Sequence, residues 1–231
     1  MISKILIILV FLATISALLI QKIGKKNPKK ESPWKKYWTY NLLLILNILL
    51  LFLGAKWYLL FGFVLLLFGF KELLIVGIEG QIDMNKLIFS LITFLIIAIS
   101  FLYFIYSKST DEILFFYFSV IIFDAFSQIS GQLFGKNKIT KISPNKTYEG
   151  VLGGMLIMVL AQIYVLDFHL NQNLFLDGIL VGIFAFLGDL LASFYKRKAG
   201  VKDFSNLLPG QGGILDRYDS WIFVSFFLIW L

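Results

Sequence analysis

Eight apolar runs dominate this chain of 231 residues, and each is long enough to cross a lipid bilayer as a helix. Hydrophobic residues make up 59% of the chain and 25 residues are Phe, which is typical of a bilayer protein rather than a water-soluble core. We therefore predict an all-α, polytopic integral membrane protein with about eight transmembrane helices. The predicted bounds are 5–21, 38–53, 57–78, 87–106, 113–134, 147–166, 174–195 and 214–231.

The N-terminal half of this pattern is the less regular one. Only residues 54–56 separate the second and third runs, and Lys71 and Glu72 interrupt the third, so a re-entrant hairpin is an alternative to two full spans. The first run resembles a signal peptide, but no clear small-residue cleavage site precedes Lys22, and we expect it to be retained. We divide the chain into N-terminal transmembrane helices with a basic loop at 22–37 (residues 1–110) and a C-terminal transmembrane catalytic region (residues 111–231).

The Lys and Arg residues orient the predicted helices. Loops at 22–37, 71–86, 135–146 and 196–213 fall on one side and carry 17 basic residues, whereas the other side receives three. Under the positive-inside rule, these loops lie on the cytoplasmic side of the cell (inner) membrane. This topology explains most of the net charge of +7, so we expect acidic membrane lipids rather than nucleic acid as partners.

Acidic, basic and glycine residues lie close together between the last two apolar runs. Asp189, Asp216 and Asp219 are costly at the edge of a bilayer without a partner such as Mg²⁺. The glycines at 210–213 let backbone N–H groups approach an anion, and the positive end of the last helix points the same way. We expect metal binding by the three aspartates, and catalysis by Asp189, Lys196, Arg197 and Asp216.

A second polar group lies between the fifth and sixth runs. Ser143 followed by Pro144 predicts a helix that begins there and presents unpaired N–H groups beside Lys146, which would form an anion site. Asp124 lies on the fifth run, where helical spacing directs its carboxylate to the same side of the membrane. Both segments are therefore expected to face the basic loops.

The order of these motifs resembles the phosphatidate cytidylyltransferase family, also called CDP-diacylglycerol synthases. The likeness covers about residues 120–221, whereas the N-terminal half matches only as hydrophobic helices. The matching motifs are Ser143-Pro-Asn-Lys-Thr-Tyr-Glu-Gly150, Gly188-Asp-Leu, Ser193, Lys196-Arg197, Lys202-Asp203, Pro209-Gly210, Gly212-Gly213, Leu215-Asp-Arg and Asp219-Ser220.

The resemblance implies a metal-dependent membrane enzyme of phospholipid synthesis. Such enzymes join CTP and phosphatidate to give CDP-diacylglycerol and pyrophosphate, commonly as homodimers. The expected cofactor is Mg²⁺, and a second, monovalent cation is left open. The expected substrate contacts are Asp124, Ser143, Asn145, Lys146, Thr147, Glu149, Ser193, Lys202, Asp203, Gly212, Gly213 and Arg217.

Three positions depart from the family pattern. Gln211 stands where a His is usual, Ala192 where a Glu is common, and Tyr148 where a Trp is usual. The missing His removes a proton donor or phosphate contact, although Gln still forms hydrogen bonds. The missing Glu removes one acid near the metal. A changed lipid substrate or reduced activity is therefore left open.

Two other functions compete with this interpretation. A CTP-dependent kinase of a polyprenol or another lipid alcohol would account for the segments at 124–136 and 146–150, but not for 188–220. A non-enzymatic, ion-coupled transporter would use the intramembrane acids for ions or protons, and it predicts no dependence on nucleotide. His169, the only histidine, is expected on the opposite side of the membrane from the basic loops.

Overall fold

The computed structural model describes residues 33–166 and 174–229 of the chain. Within these ranges the regular structure is helical apart from two isolated β-bridges, so the predicted all-α class is confirmed. The first apolar run, the basic loop up to residue 32 and His169 lie outside the described residues. The helices are α1 (Pro33–Leu53), α2 (Ala55–Glu79), α3 (Met84–Ser107), α4 (Thr110–Phe134), α5 (Tyr148–Ala161) with a following π-helical turn (Gln162–Leu166), α6 (Leu174–Lys198) and α7 (Leu215–Leu228).

Several of these helices are long and apolar enough to cross a membrane. The four long ones are Ala55–Glu79, Met84–Ser107, Thr110–Phe134 and Leu176–Lys198, and Tyr37–Leu53 and Tyr148–Tyr164 are shorter apolar helices. Side chains such as Phe89 and Ile99 on α3 are 71% and 68% exposed, as suits contact with lipid tails. The chain is therefore a multi-pass membrane protein. Each of the seven runs predicted within the described ranges coincides with a helix, and the total of eight spans stays a prediction.

Helix α2 continues through the two charged residues that interrupt its apolar run. It extends from Ala55 to Glu79, so Lys71 and Glu72 lie in the helix, and the predicted loop at 71–86 is wrong for its first nine residues. The physical reason is that Glu72 is only 6% exposed and accepts hydrogen bonds from another part of the protein. At its other end, α2 is joined to α1 by Gly54 alone, whose φ of 117° is rarely accessible to other residues.

A cluster of aromatic side chains packs α7 against its neighbouring helices. Trp221 of α7 makes edge-on contacts with Phe101 and Phe104 of α3 and with Tyr117 of α4, at centroid distances of 5.5 to 6.2 Å. Such pairs stabilise a core beyond the area that they bury. The middle of α7 is therefore held against α3 and α4.

The loops after α2, α4 and α6 meet at one end of the bundle, which we call the loop end. The hydroxyl of Tyr195 donates to the carbonyl of Leu73 at 2.9 Å, and the hydroxyl of Thr39 donates to the carbonyl of Pro209 at 3.2 Å. A Cβ atom added to Gly80 would lie 2.6 Å from the Cα atom of Ala199. The loops after α2 and α6 therefore lie at the same end of the bundle, and the membrane side that all the basic loops face stays a prediction.

Candidate active site

The segment between α4 and α5 folds into a short hairpin at residues 137–148. The N–H group of Lys146 donates to the carbonyl of Ser143 at 3.0 Å, so Pro144 and Asn145 are the central residues of a tight turn. The predicted helix start at Ser143 is therefore wrong. Proline suits the second position of a turn as well as the first position of a helix, because both need the φ angle that its ring fixes.

Thr147 and Glu149 fasten this hairpin to α5. The Oγ1 atom of Thr147 accepts the N–H of Gly150 at 3.1 Å, which makes Thr147 the N-cap of the helix. The carboxylate of Glu149 accepts the backbone N–H groups of Lys136 and Asn137 at 3.1 to 3.2 Å. In this structure both residues hold the loop in place, and their predicted contacts with substrate stay predictions.

The hairpin places the side chain of Lys146 against α6. Its Nζ atom lies 2.7 Å from Oδ2 of Asp189 and 4.9 Å from the ring centroid of Phe186. The hydroxyl of Ser193, one helical turn beyond Asp189, donates to Oδ1 of the same carboxylate at 3.3 Å. The Asp189 side chain is 38% exposed and that of Lys146 is 16% exposed. The Nζ atom itself is buried, so the Asp189 carboxylate is the more accessible of the two charges.

Three aspartates from three helices lie within electrostatic range of one another near this pair. Asp124 of α4, Asp189 of α6 and Asp219 of α7 lie close enough for their negative charges to repel. Lys146 offsets part of the charge beside Asp124, and Lys196 offsets part of the charge beside Asp219. A cation at this position would relieve the repulsion that remains.

The residues would fit a metal ion only if the substrate supplied most of its ligands. Within residues 33–166 and 174–229, no three His, Cys, Asp or Glu side chains are grouped closely enough to form a metal site. Mg²⁺ needs only one or two carboxylates, because phosphate oxygens and water supply its other ligands. Asp189 is accessible and Asp219 lies within electrostatic range of it, which would suit such a partial site. The assignment of Asp189, Asp216 and Asp219 as ligands stays a prediction.

Asp216 lies at the centre of a buried polar cluster at the start of α7. Its Oδ1 atom is 2.5 Å from Nζ of Lys196, and its Oδ2 atom accepts the N–H groups of Phe204 and Gly213 at 2.8 Å. The Asp216 side chain is 1% exposed and that of Lys196 is 9% exposed. The pair therefore joins α6 and α7 to the loop at 199–214 between them.

Glu72 is a member of this region that the sequence analysis missed. Its Oε1 atom accepts the hydroxyl of Ser205 at 2.7 Å and the N–H of Ile214 at 2.9 Å, and its Oε2 atom accepts the N–H of Leu215 at 2.8 Å. One feature of the sequence could have identified it: Glu72 is an acid inside an apolar run, and a buried carboxylate in a membrane helix needs a partner. The sequence gives no indication of which residues provide it.

At the N-terminus of α7, carboxylates of the protein itself occupy the position where an anion would bind. The N–H groups of Gly213, Ile214 and Leu215 donate to carboxylate oxygens of Asp216 and Glu72. A helix N-terminus favours negative charge there, as expected. Because these three N–H groups already have acceptors, they give no support to the predicted phosphate site at this helix start, which stays a prediction.

The remaining predicted residues lie in or beside the loop at 199–214. A guanidinium nitrogen of Arg197 donates to the carbonyl of Val201 at 2.8 Å. Gly212 has a φ of 86°, and a Cβ atom there would lie 3.2 Å from Cβ of Asp203. Arg197, Lys202, Asp203 and Arg217 are exposed. This part of the loop end thus presents exposed charged side chains of both signs.

The comparisons with known proteins agree with this arrangement. The sequence model of the cytidylyltransferase family matches residues 1–231. Phosphatidate cytidylyltransferases of Staphylococcus haemolyticus and Staphylococcus epidermidis are 43% identical to the chain over 143 residues, and that of Staphylococcus aureus is 41% identical. The matched stretch is 59% of this chain and 55% of each relative, so the chain spans about half the length of the relatives that it matches.

Proposed function

Because this chain belongs to the cytidylyltransferase family, we propose that it transfers a cytidylyl group from CTP to phosphatidate and releases pyrophosphate. The product, CDP-diacylglycerol, would enter phospholipid synthesis. The observation that carries the proposal is the identity of 41 to 43% to proteins named phosphatidate cytidylyltransferase. The lipid-alcohol kinase and the ion-coupled transporter are the alternatives that an assay has to exclude.

The proposed reaction requires control of charge more than acid–base chemistry. A phosphate monoester has a second pKa of about 6, so phosphatidate is largely ionised at neutral pH. One of its oxygens forms a bond to the α-phosphorus of CTP, while the bond from that phosphorus to pyrophosphate breaks. The main obstacle is repulsion between two polyanions, which positioned cations reduce.

Basic residues at the loop end are suited to this task. We assign Lys146, Arg197 and Lys202 to phosphate groups, since Arg197 and Lys202 are exposed and the buried Nζ atom of Lys146 lies beside the accessible Asp189. A phosphate that attracts Lys146 would release Asp189 from the ion pair. Lys196 remains beside Asp216, where its charge contributes to the same positive region.

Asp189 and Asp219 are the residues that would hold Mg²⁺, with Asp124 close to both. When bound, the ion would neutralise charge on the phosphates and on the departing pyrophosphate. Asp216 already accepts three hydrogen bonds, so we assign it chiefly to holding the loop. A second, monovalent cation is expected from the family likeness alone.

We place the active site on the cytoplasmic side of the cell membrane. Lys136, Lys138 and Lys141 are exposed at the loop end, whereas Lys56 and Lys108 lie at the opposite helix ends. This asymmetry supports the orientation through the positive-inside rule. CTP is also a cytoplasmic compound. A homodimer among membrane lipids is proposed only from the family likeness.

The test uses purified protein in detergent with Mg²⁺, phosphatidate and CTP labelled either in cytidine or at the γ-phosphate. The proposal predicts a lipid that carries cytidine, and Asp189→Asn should lower kcat by about 100-fold. Asp111→Asn is the matched control, because Asp111 is an exposed carboxylate in the first turn of α4, at the opposite end.

Each alternative gives a different result in this assay. Transfer of the γ-phosphate to a lipid alcohol would favour the kinase. If no lipid is labelled from CTP, the proposed reaction is wrong and the transporter gains support. Full activity of Asp189→Asn would show that the proposed metal ligand and catalytic residue has been assigned incorrectly.

A further inference from the structure

Glu72 lies on a helix that contains none of the active-site motifs, yet it contacts the loop end directly. We propose that Glu72 is a positioning residue, whose buried carboxylate sets the start of α7 and therefore the placement of Asp216 and Asp219. The kinetic part of this inference rests on the proposed function, whereas its structural part does not. No contact of Glu72 with substrate is implied.

The first helical residues of α7 need an acceptor from elsewhere. Ile214 occupies the N-cap position, and its side chain makes no capping hydrogen bond. Helices usually receive such a bond from Ser, Thr, Asp or Asn at this position. Here the Glu72 carboxylate takes the N–H groups of Ile214 and Leu215 instead. A residue of α2 therefore performs the capping that the local sequence does not provide.

The contacts around Glu72 leave it little freedom. A Cβ atom added to Gly213 would lie 2.6 Å from Oε1 of Glu72, so only glycine allows this close approach. The adjacent residue, Leu73, accepts the hydroxyl of Tyr195 from α6. Helix α2 is thus held against both the loop and α6. The position of Glu72 is therefore fixed, and it determines where α7 begins.

Glutamine is the informative replacement for Glu72. It preserves the shape, but its amide supplies one acceptor oxygen, whereas Ser205, Ile214 and Leu215 all donate to Glu72. The amide nitrogen would face a donor, so the start of α7 should shift. Small shifts of catalytic groups are costly, and we expect Glu72→Gln to lower kcat by about 10- to 100-fold.

The division between kcat and KM separates positioning from a general structural defect. Because Glu72 touches no substrate in this proposal, the KM for CTP should change by less than about threefold while kcat falls. Lys71→Gln is the matched control, since Lys71 is exposed on the same helical turn and also loses one charge. Both kinetic constants should stay at their wild-type values in this control.

A thiol probe tests the same contact without any substrate. The chain has no cysteine, so Ile214→Cys supplies a single reporter at a half-buried position beside Glu72. In this background, Glu72→Gln should increase the rate of maleimide labelling several-fold, and Lys71→Gln should not. Ser205→Ala provides a second variant that keeps Glu72 and removes one of its donors. It should change kcat and labelling in the same directions by a smaller factor.

Defined results would overturn the inference. It fails if Glu72→Gln and Ser205→Ala label at the rate of Lys71→Gln, or if kcat is unchanged in an active enzyme. It also fails if Glu72→Gln raises the KM for CTP without lowering kcat. If wild-type protein makes no liponucleotide, the proposed function is wrong, and the labelling rates alone decide whether Glu72 holds the loop.

Discussion

Replacing Asp216 with alanine should destabilise the protein by about 5 kcal/mol, because it leaves a buried ammonium group without its counter-charge. Lys196 lies 2.5 Å from Asp216, and the two side chains are only 9% and 1% exposed. Breaking such a pair by removing one partner costs about 3 to 5 kcal/mol. The N–H groups of Phe204 and Gly213 also lose their acceptor, at about 1 to 3 kcal/mol each. These contributions overlap, so the total is less than their sum.

A double-mutant cycle isolates the charge pair. The double variant Lys196→Met/Asp216→Ala removes the unpaired charge and leaves only the two N–H groups without an acceptor. It should therefore be about 2 kcal/mol more stable than Asp216→Ala alone. Asp203→Ala, an exposed acid in the same loop, should change stability by less than about 0.5 kcal/mol.

The measurement is the free energy of unfolding, obtained by titrating the folded protein in mixed detergent micelles with SDS. Circular dichroism follows the loss of helix. The reasoning is refuted if Asp216→Ala costs no more than Asp203→Ala. It is also refuted if the stability lost by the double variant equals the sum of the losses in Lys196→Met and Asp216→Ala measured singly, since Lys196 and Asp216 would then act independently.

Two further predictions concern the helices behind the site. Thr147→Ala should destabilise the protein by about 1 kcal/mol, because α5 loses its N-cap, whereas Ser143→Ala should have a smaller effect; the reverse order in thermal unfolding would contradict the observed helix start. Ser119→Ala should cost about 1 to 3 kcal/mol, because Nε2 of Gln162 donates to the Ser119 hydroxyl at 2.8 Å in a fully buried position. Ser119→Ala/Gln162→Leu should recover most of this loss, and equal destabilisation of both variants would refute that explanation.

The helices could be predicted because long apolar runs leave few alternatives in a bilayer. All seven predicted runs within the described ranges coincide with helices, although their ends differ by several residues. The position of each helix end depends on whether the local residues favour a turn or a helix, and the length of an apolar run does not show this. Ser143-Pro144 illustrates this, because the same dipeptide suits a turn and a helix start.

The candidate site could be predicted where its charged residues lie close together in the sequence. Asp189, Lys196 and Asp216 were all selected, and the structure brings them to the loop end with Lys146. The pairing of these charges was not predictable, because it depends on how α6 and α7 rotate. Glu72 was missed for a related reason, since its partners lie 133 to 143 residues away in the chain.

That separation has a consequence for the way the protein is made. A ribosome that adds about 5 to 20 residues per second needs roughly 7 to 29 s to proceed from Glu72 to Leu215, which lie 143 residues apart. Throughout this interval the nascent α2 carries an acidic group whose eventual donors have not yet been synthesised. Insertion of this helix must therefore tolerate the carboxyl group before the C-terminal helix arrives, and a chain released early would expose it to lipid or to the insertion machinery.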